Sequence, residues 1–498
     1  TAMLRSASKK FLWATFLLAL PVTSFPYFPP TIGGEALVRP LSLYPLILLI
    51  PLFILPRLLV KPLPKTLLPL AFFALIAAAS SLISLLYGIE PAHDISIAEG
   101  SFRGMITLGI GCAIYLAVVL IPETIDDLHF ALRWSYAGCA VALAWGTVQA
   151  WQILSVNKKI FSYMEYVQHF ISTRRLLYDR ISGLTYEPHW FADQLILILL
   201  PGTLAAALSG YSIYRWRKGN LTIEWILLAW MVVILPFTYS RAGLMNLIVT
   251  VLLSVLLFSS SRQKKHPSSN KPAAKAGLAT IHSMWKRITL VLLVALVVGV
   301  PIYMVGLQNE FFARIWKFWR DPEAINPPGV HYTMPQTLMV YFGHLGFDTR
   351  LAYGEAAYKT YASHPWLGVG LGNFGFYIQE MLPLRPLTAE VLRTITPDNS
   401  RPRLVTPKNF YLRLLAETGV IGTSAFLAFI IASLGCAIYL LISPDPEWRY
   451  WGLTSSIGII AFLISALTFD SFVIPNTWIV LGLSIAAVRV AQKERSIT

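Results

Sequence analysis

Three short stretches place basic or polar side chains just ahead of a long apolar run. They are Arg180-Ile-Ser-Gly183-Leu-Thr-Tyr186-Glu187-Pro188-His189-Trp190, Thr238-Tyr239-Ser240-Arg241-Ala242-Gly243, and Thr406-Pro407-Lys408-Asn409-Phe410-Tyr411. If the runs are helices, each stretch becomes a helix N-terminus. Pro188 suits a first helical turn, and Ser240 suits an N-cap. Free N–H groups and the positive end of the helix dipole favour phosphate oxygens there. Arg180, Arg241 and Lys408, with Arg350 behind them, would then form a diphosphate cradle. Capping and snorkelling account for each stretch taken singly. Their coincidence on one face favours a ligand.

Transfer of a group from a diphosphate also needs a base for the incoming hydroxyl. Glu187 is the first candidate, with His189 and His364 behind it. A helix N-terminus lowers a carboxylate pKa, which counts against Glu187 unless apolar surroundings raise it. Tyr186, Trp366 and Tyr411, with Trp190 and Asn409, are candidate substrate-binding residues, the aromatic rings able to stack on a ligand face. Aromatic residues at such positions also serve as membrane anchors.

The block His364-Pro365-Trp366-Leu367-Gly368-Val369-Gly370-Leu371-Gly372-Asn373-Phe374-Gly375 permits either close backbone approach to a ligand or tight turns without one. A dinucleotide-binding reading fails for want of a βαβ unit. Metal chemistry finds no HExxH or DxD, and residues 27–40 carry one acid, Glu35. Serine-hydrolase and P-loop patterns are also missing. No metal or cofactor is expected.

The elements that must hold these residues follow from composition. Of 498 residues 56% are hydrophobic and 13% charged, yet Lys and Arg number 40 against 25 Asp and Glu, a net charge of +15. Disorder is excluded by the apolar content, and a nucleic-acid partner by charge spread thinly through Leu, Ile and Phe. The expected fold is all-α, a polytopic transmembrane bundle in a lipid bilayer. Twelve apolar runs are long enough to span: 11–28, 41–60, 66–87, 104–121, 132–154, 190–213, 222–238, 242–260, 288–306, 409–442, 450–468 and 472–490. The seventh is short, and the tenth is long enough for a surface turn or a tilt. Residues 1–306 would hold nine helices, 307–408 a large outer subdomain of short helices, and 409–498 three more.

With both termini cytoplasmic, nearly every short basic loop falls inside, and 261–287 reads as a flexible basic linker. The first helix reads as uncleaved, with Thr1-Ala2 an addition ahead of a native Met3. Cys112, Cys139 and Cys436 lie within spans and read as small buried hydrophobes. Two basic segments, 155–189 and 307–408, fall outside, where attraction to headgroups is the plain alternative to an anionic partner. Within 307–408, residues 310–320 read as an interfacial helix, 333–363 as one or two amphipathic helices, and 385–408 as an extended loop. Glu417, four residues after Arg413, is the one clear charge within a span.

The stretch Arg350 through Gly422 resembles the shared domain of the bacterial O-antigen ligase and polysaccharide polymerase superfamily. Its pattern is an outer-loop helix, an hPxxGxGxGNF block, here His364 to Phe374, and an HNxxLxxxAExGxxG block, here Lys408 to Gly422. The Arg180–His189 and Ser240–Gly243 stretches are similar to it too. The resemblance implies a GT-C-like, metal-independent, inverting glycosyltransferase that uses no nucleotide sugar. Its donor would be an undecaprenyl-diphosphate-linked glycan, taken on the outer face of the bacterial inner membrane. Ligases pass the glycan to lipid A-core; polymerases pass it to the next lipid-linked repeat unit, with a chain-length regulator as a candidate partner. The ligase pattern has His where this chain has Lys408, a poor base but suited to a phosphate. That leans the reading toward a polymerase. A transporter of lipid-linked oligosaccharides is the alternative of another class.

Overall fold

The structure, a computed structural model, describes residues 2–28, 37–60, 63–92, 94–219, 221–263, 347–383, 391–392 and 404–496, with Gly299. It is mostly helical. The helices are α1 (Ala2–Leu18), α2 (Leu43–Val60), α3 (Lys65–Tyr87), α4 (Ile97–Leu120), α5 (Ile125–Ser155), α6 (Lys158–His169), α7 (Pro188–Ser209), α8 (Ile223–Thr238), α9 (Arg241–Gln263), α10 (Asp348–Ser363), α11 (Phe374–Met381), α12 (Phe410–Leu441), α13 (Pro446–Ser465) and α14 (Pro475–Arg495). A small antiparallel hairpin, β1 (Arg217–Lys218) and β2 (Leu221–Thr222), joins α7 to α8.

Local chemistry explains where these helices begin. A Thr124–Asp127 capping box opens α5, Ser96 accepts from Glu99 N at α4, and Asn157 caps α6. Proline occupies the first turn of α7, α13 and α14, where its missing N–H costs nothing.

Among the described residues six helices are long and apolar enough to cross a membrane: α2, α3, α4, α5, α7 and α12. The seventh and eighth expected spans appear as shorter apolar helices, Ile223–Thr238 and Arg241–Leu256. The eleventh and twelfth are α13 and α14. The first ends early: α1 stops at Leu18, and Val22–Ser24 leave it extended, with Ser24 bridged to Arg39. Pro21, with no N–H to donate, breaks the run there. The ninth, 288–306, lies outside the described residues, as do 310–320, Glu35 and most of 261–287. The tenth is one helix with a break at Gly419 (φ 63°, ψ −169°) rather than a surface turn.

α7 is the most enclosed of the six, packed on α13, α8 and α5. A π-helical turn, Leu195–Leu199, interrupts it about two turns below its start. Cys139 and Cys436 are buried, Cys112 partly so, and all three are free thiols. A second, smaller core joins α10 and α11 to the bundle: Tyr353, Ala356, Ala357, Phe374 and Ile378 pack against Ala416 of α12.

The glycine block approaches its own backbone rather than an open site. Val369 N donates to Ala416 O and Gly370 N to Glu417 O, each at 3.0 Å, and Val420 N donates to Pro365 O at 2.8 Å. A Cβ on Gly368 (φ +68°) would lie 2.5 Å from the Glu417 carbonyl carbon, and one on Gly419 2.2 Å from Trp366 O. Ser80, Ser81 and Ser84 of α3 and Ser101 of α4 receive the other side: Leu371 N donates to Ser81 Oγ (3.0 Å), and Asn373 Nδ2 to Ser84 Oγ (3.0 Å) and Ser101 Oγ (2.8 Å). Behind it Arg413 Nε pairs with Glu417 Oε2 at 3.0 Å, the Glu417 side chain being 1% exposed.

Candidate functional site

At the start of α7, Glu187 takes an extended conformation (φ −122°, ψ 142°) at the N-cap position, but its side chain does not cap the helix. One oxygen pairs with Arg174, and the other lies 4.0 Å from His189 Nδ1. The Arg174 guanidinium also lies over the Tyr186 ring, 5.2 Å from its centre, and Tyr186 leans on Trp190. The backbone under these groups is fixed. Thr173 N donates to Ser24 O, Tyr186 N to Thr23 Oγ1, and Gln149 Oε1 of α5 accepts from both Ser182 N and Gly183 N. Gly183 (φ +55°) closes over the Phe191 ring, which a Cβ would meet at 2.7 Å.

At the start of α9, Ser240 Oγ accepts from Gly243 N at 3.1 Å, the N-cap its position suggests. Gly243 lets α9 against α7: a Cβ there would lie 2.6 Å from Ala192 Cβ. Arg241 reaches over the Phe347 ring, just ahead of α10, at 5.4 Å. Ile181 N donates to Phe237 O at 3.0 Å, tying the Arg180 segment to the end of α8.

Ahead of α12, Lys408 adopts a left-handed backbone (φ 55°), held by its N–H to Asp470 Oδ2 at 2.7 Å. Its Nζ lies 5.1 Å over the Tyr353 ring. Arg350 Nη1 donates to Lys408 O (3.3 Å) and Thr468 O (2.8 Å), so α10, the α13–α14 turn and the start of α12 meet at one point.

His189 is the focus of this arrangement. The charges of Arg350, Arg180, Lys408 and Arg174 all bear on it, and its side chain is 39% exposed. Arg180 Nε is buried without a hydrogen-bond partner. Burial lowers the Arg174 guanidinium from its ordinary pKa, Tyr186 opposes that and Arg180 reinforces it. Five cations thus stand at three helix starts and on α10. Chemically, such a cluster could hold a compact anion, with a carboxylate and an imidazole beside it.

The structure brings together Arg180, Tyr186, Glu187, His189, Arg350 and Lys408, with Arg241 joined through Phe347. His364 and Trp366 stand apart. His364 ends α10, between the rings of Tyr87 and Tyr377. Fourteen residues of helix rise separate it from Arg350, about 21 Å. Trp366, 70% exposed, lies beyond it. Asn409 is a helix cap, its Oδ1 accepting from Leu412 N at 3.0 Å while its Nδ2 donates to Leu467 O at 3.2 Å. The Tyr411 hydroxyl donates to Leu463 O at 2.8 Å, holding α12 to α13. Among the described residues no three His, Cys, Asp or Glu gather as a metal site.

Sequence reasoning missed three participants. Arg174 was visible only as one member of a basic segment. Asp470 acts through main-chain contacts no motif reveals. Asp193 is a second charged type inside a span beside Glu417. It lies four residues after His189 on the same face of α7, 8% exposed, and accepts from Ser465 Oγ. The His-x-x-x-Asp spacing entering an apolar run was its signal.

Residues 226–427 match the family model described as O-antigen ligase. The match supports membership of the O-antigen ligase family. It likewise supports an O-antigen ligase-type membrane glycosyltransferase function. The matched part runs from α8 into α12, taking in Arg241, Arg350 and Lys408. Arg174, Arg180, Glu187 and His189 precede it and join the site through space. No curated protein matches the chain.

Proposed function

We propose that the protein transfers a glycan from an undecaprenyl-diphosphate donor to an acceptor sugar at the outer face of the bacterial inner membrane, inverting the anomeric centre without a metal. The observation that carries this reading is the gathering of Arg174, Arg180, Arg350 and Lys408 around His189, with Arg241 at a neighbouring helix start. The leaving group is a diphosphate, and charge developing on it meets donors already in place, commonly the largest catalytic contribution. The acceptor hydroxyl oxygen attacks the anomeric carbon, the carbon–oxygen bond to phosphate breaks, and the hydroxyl proton passes to Glu187 or to His189 beside it. Tyr186 and Trp190 lie next to these groups, where a sugar ring would stack.

The acceptor we assign is the next lipid-linked repeat unit, which makes the protein a repeat-unit polymerase. Lys408 stands where the ligase pattern has His, and its ammonium is turned over Tyr353 beside Arg350, an arrangement suited to phosphate. Transfer to lipid A-core is the second reading, favoured by the description of the matching family. Purified protein given lipid-linked repeat units alone, then with lipid A-core, separates them: a ladder of chain lengths means polymerase, and product only on lipid A-core means ligase. Arg241→Ala should abolish product in either case with folding intact; undiminished activity refutes the diphosphate reading.

A further inference from the structure

Glu187 is poorly prepared to act as a base as it stands, because its carboxylate is held by Arg174. An ion-paired carboxylate keeps its charge and is reluctant to take a proton. Arg174 itself is uneasily placed. It is partly buried, Arg180 carries a like charge nearby, and Arg180 Nε lacks a partner. The titratable and charged groups that meet Glu187, or bear on the Arg174 and His189 that flank it, are Arg174, Arg180 and Tyr186 from the preceding segment, His189 on α7, Arg350 from α10 and Lys408 ahead of α12. An anion arriving among these cations competes with Glu187 for Arg174. The backbone at 172–174 is pinned by Thr173 N to Ser24 O and Arg174 N to Ser172 Oγ, so the exchange needs side-chain rotation alone.

We propose that Arg174 is a donor-operated latch on the base: it holds Glu187 while the site is empty and moves to the donor's diphosphate when that binds, freeing Glu187 to deprotonate the acceptor. The inference rests on the proposed function. In the transfer, the acceptor oxygen bonds to the anomeric carbon as its proton goes to Glu187. The diphosphate departs with the electron pair of the broken bond, its charge met by Arg174 and Arg180. Glu187 then gives its proton to water, and Arg174 returns to it as the diphosphate leaves. The arrangement confines base activity to the donor-loaded site.

The test is a pair of pH profiles on full-length protein in lipid nanodiscs with lipid-linked repeat units. kcat/KM reports the free enzyme and kcat the donor complex. The latch requires the acid limb of kcat/KM to lie at lower pH than that of kcat in the wild type. In Arg174→Gln the two limbs should coincide, with kcat lowered and donor KM raised about 10- to 100-fold, the worth of one charged hydrogen bond. Coincident limbs in the wild type overturn the proposal, as does an Arg174→Gln protein with unchanged donor KM. Should that variant not fold, Arg174→Lys keeps the charge: the limbs should stay apart with KM raised, and an unchanged KM counts against the latch. Absence of any glycan product from the wild-type protein would instead remove the proposed function itself.

Discussion

Gly419 offers the sharpest test of how the outer block is joined to the bundle. Its backbone (φ 63°, ψ −169°) lies in a region that only glycine occupies readily, and a Cβ there would sit 2.2 Å from Trp366 O. Forcing an L-residue into such a conformation costs about 1–3 kcal/mol, and overpacking against a fixed carbonyl about as much again. Gly419→Ala should therefore lose about 2–6 kcal/mol, a large fraction of the 5–15 kcal/mol typical of a domain. Spread over an unfolding entropy like that of globular chains of this length, it is a fall in Tm of about 2–6 °C. The assay is thermal unfolding of the purified protein in detergent, with Gly435→Ala as the internal control. Gly435 lies on the same helix with nothing within 4 Å of its would-be Cβ, so alanine there should be neutral or stabilising by up to about 1 kcal/mol. If Gly419→Ala and Gly435→Ala melt alike, the interlock is not what holds the block in place.

Three further outcomes are expected. Arg413→Ala strands a buried Glu417 and should destabilise by about 3–5 kcal/mol, whereas replacing both partners with Met should cost far less; chemical unfolding of the three proteins checks this. Asp193→Asn preserves an acceptor for Ser465 and should fold normally, while Asp193→Ala leaves that hydroxyl unpaired at a cost of about 1–3 kcal/mol, again read by unfolding. On the opposite side of the bundle, the hydrogen bond from His129 Nε2 at 3.2 Å, with one from Tyr211, holds the Glu447 carboxyl below its ordinary pKa. A depressed folded-state pKa adds stability above the unfolded value and loses it as pH falls through the folded one. Glu447→Gln should therefore flatten the acid side of the Tm–pH curve, and an unchanged curve would count against the clasp.

The helical membrane character was legible because apolar runs long enough to span leave few alternatives. So were the helix starts beneath the expected cradle, since Ser240 and Pro188 announce them and Arg180, Arg241 and Lys408 stand beside such starts. The glycine block was legible as close approach but not as approach to what. Its partners, Ser80, Ser81 and Ser84 on one side and Ala416 to Val420 on the other, are remote in sequence and individually ordinary. The roles of Asn409 and Tyr411 could not be read either. A cap and a cross-helix hydroxyl look, in sequence, like polar groups awaiting a ligand. His364 was drawn into the site by its motif; only the length of α10 separates it from Arg350.

The joint between Gly368–Gly372 and α12 also bears on how the protein is made. Ser81 and Leu371 are partners across 290 residues, and Val369 must find Ala416 on a helix not yet synthesised when the glycine block emerges. Contacts of such separation form late. Lys408 and the turn at Thr468–Asp470 arrive later still, and with them the carbonyls that Arg350 grips. The cation cluster is therefore assembled only when the last helices are in place. A chain stalled during insertion holds its arginines on unconnected segments, without the assembled cluster.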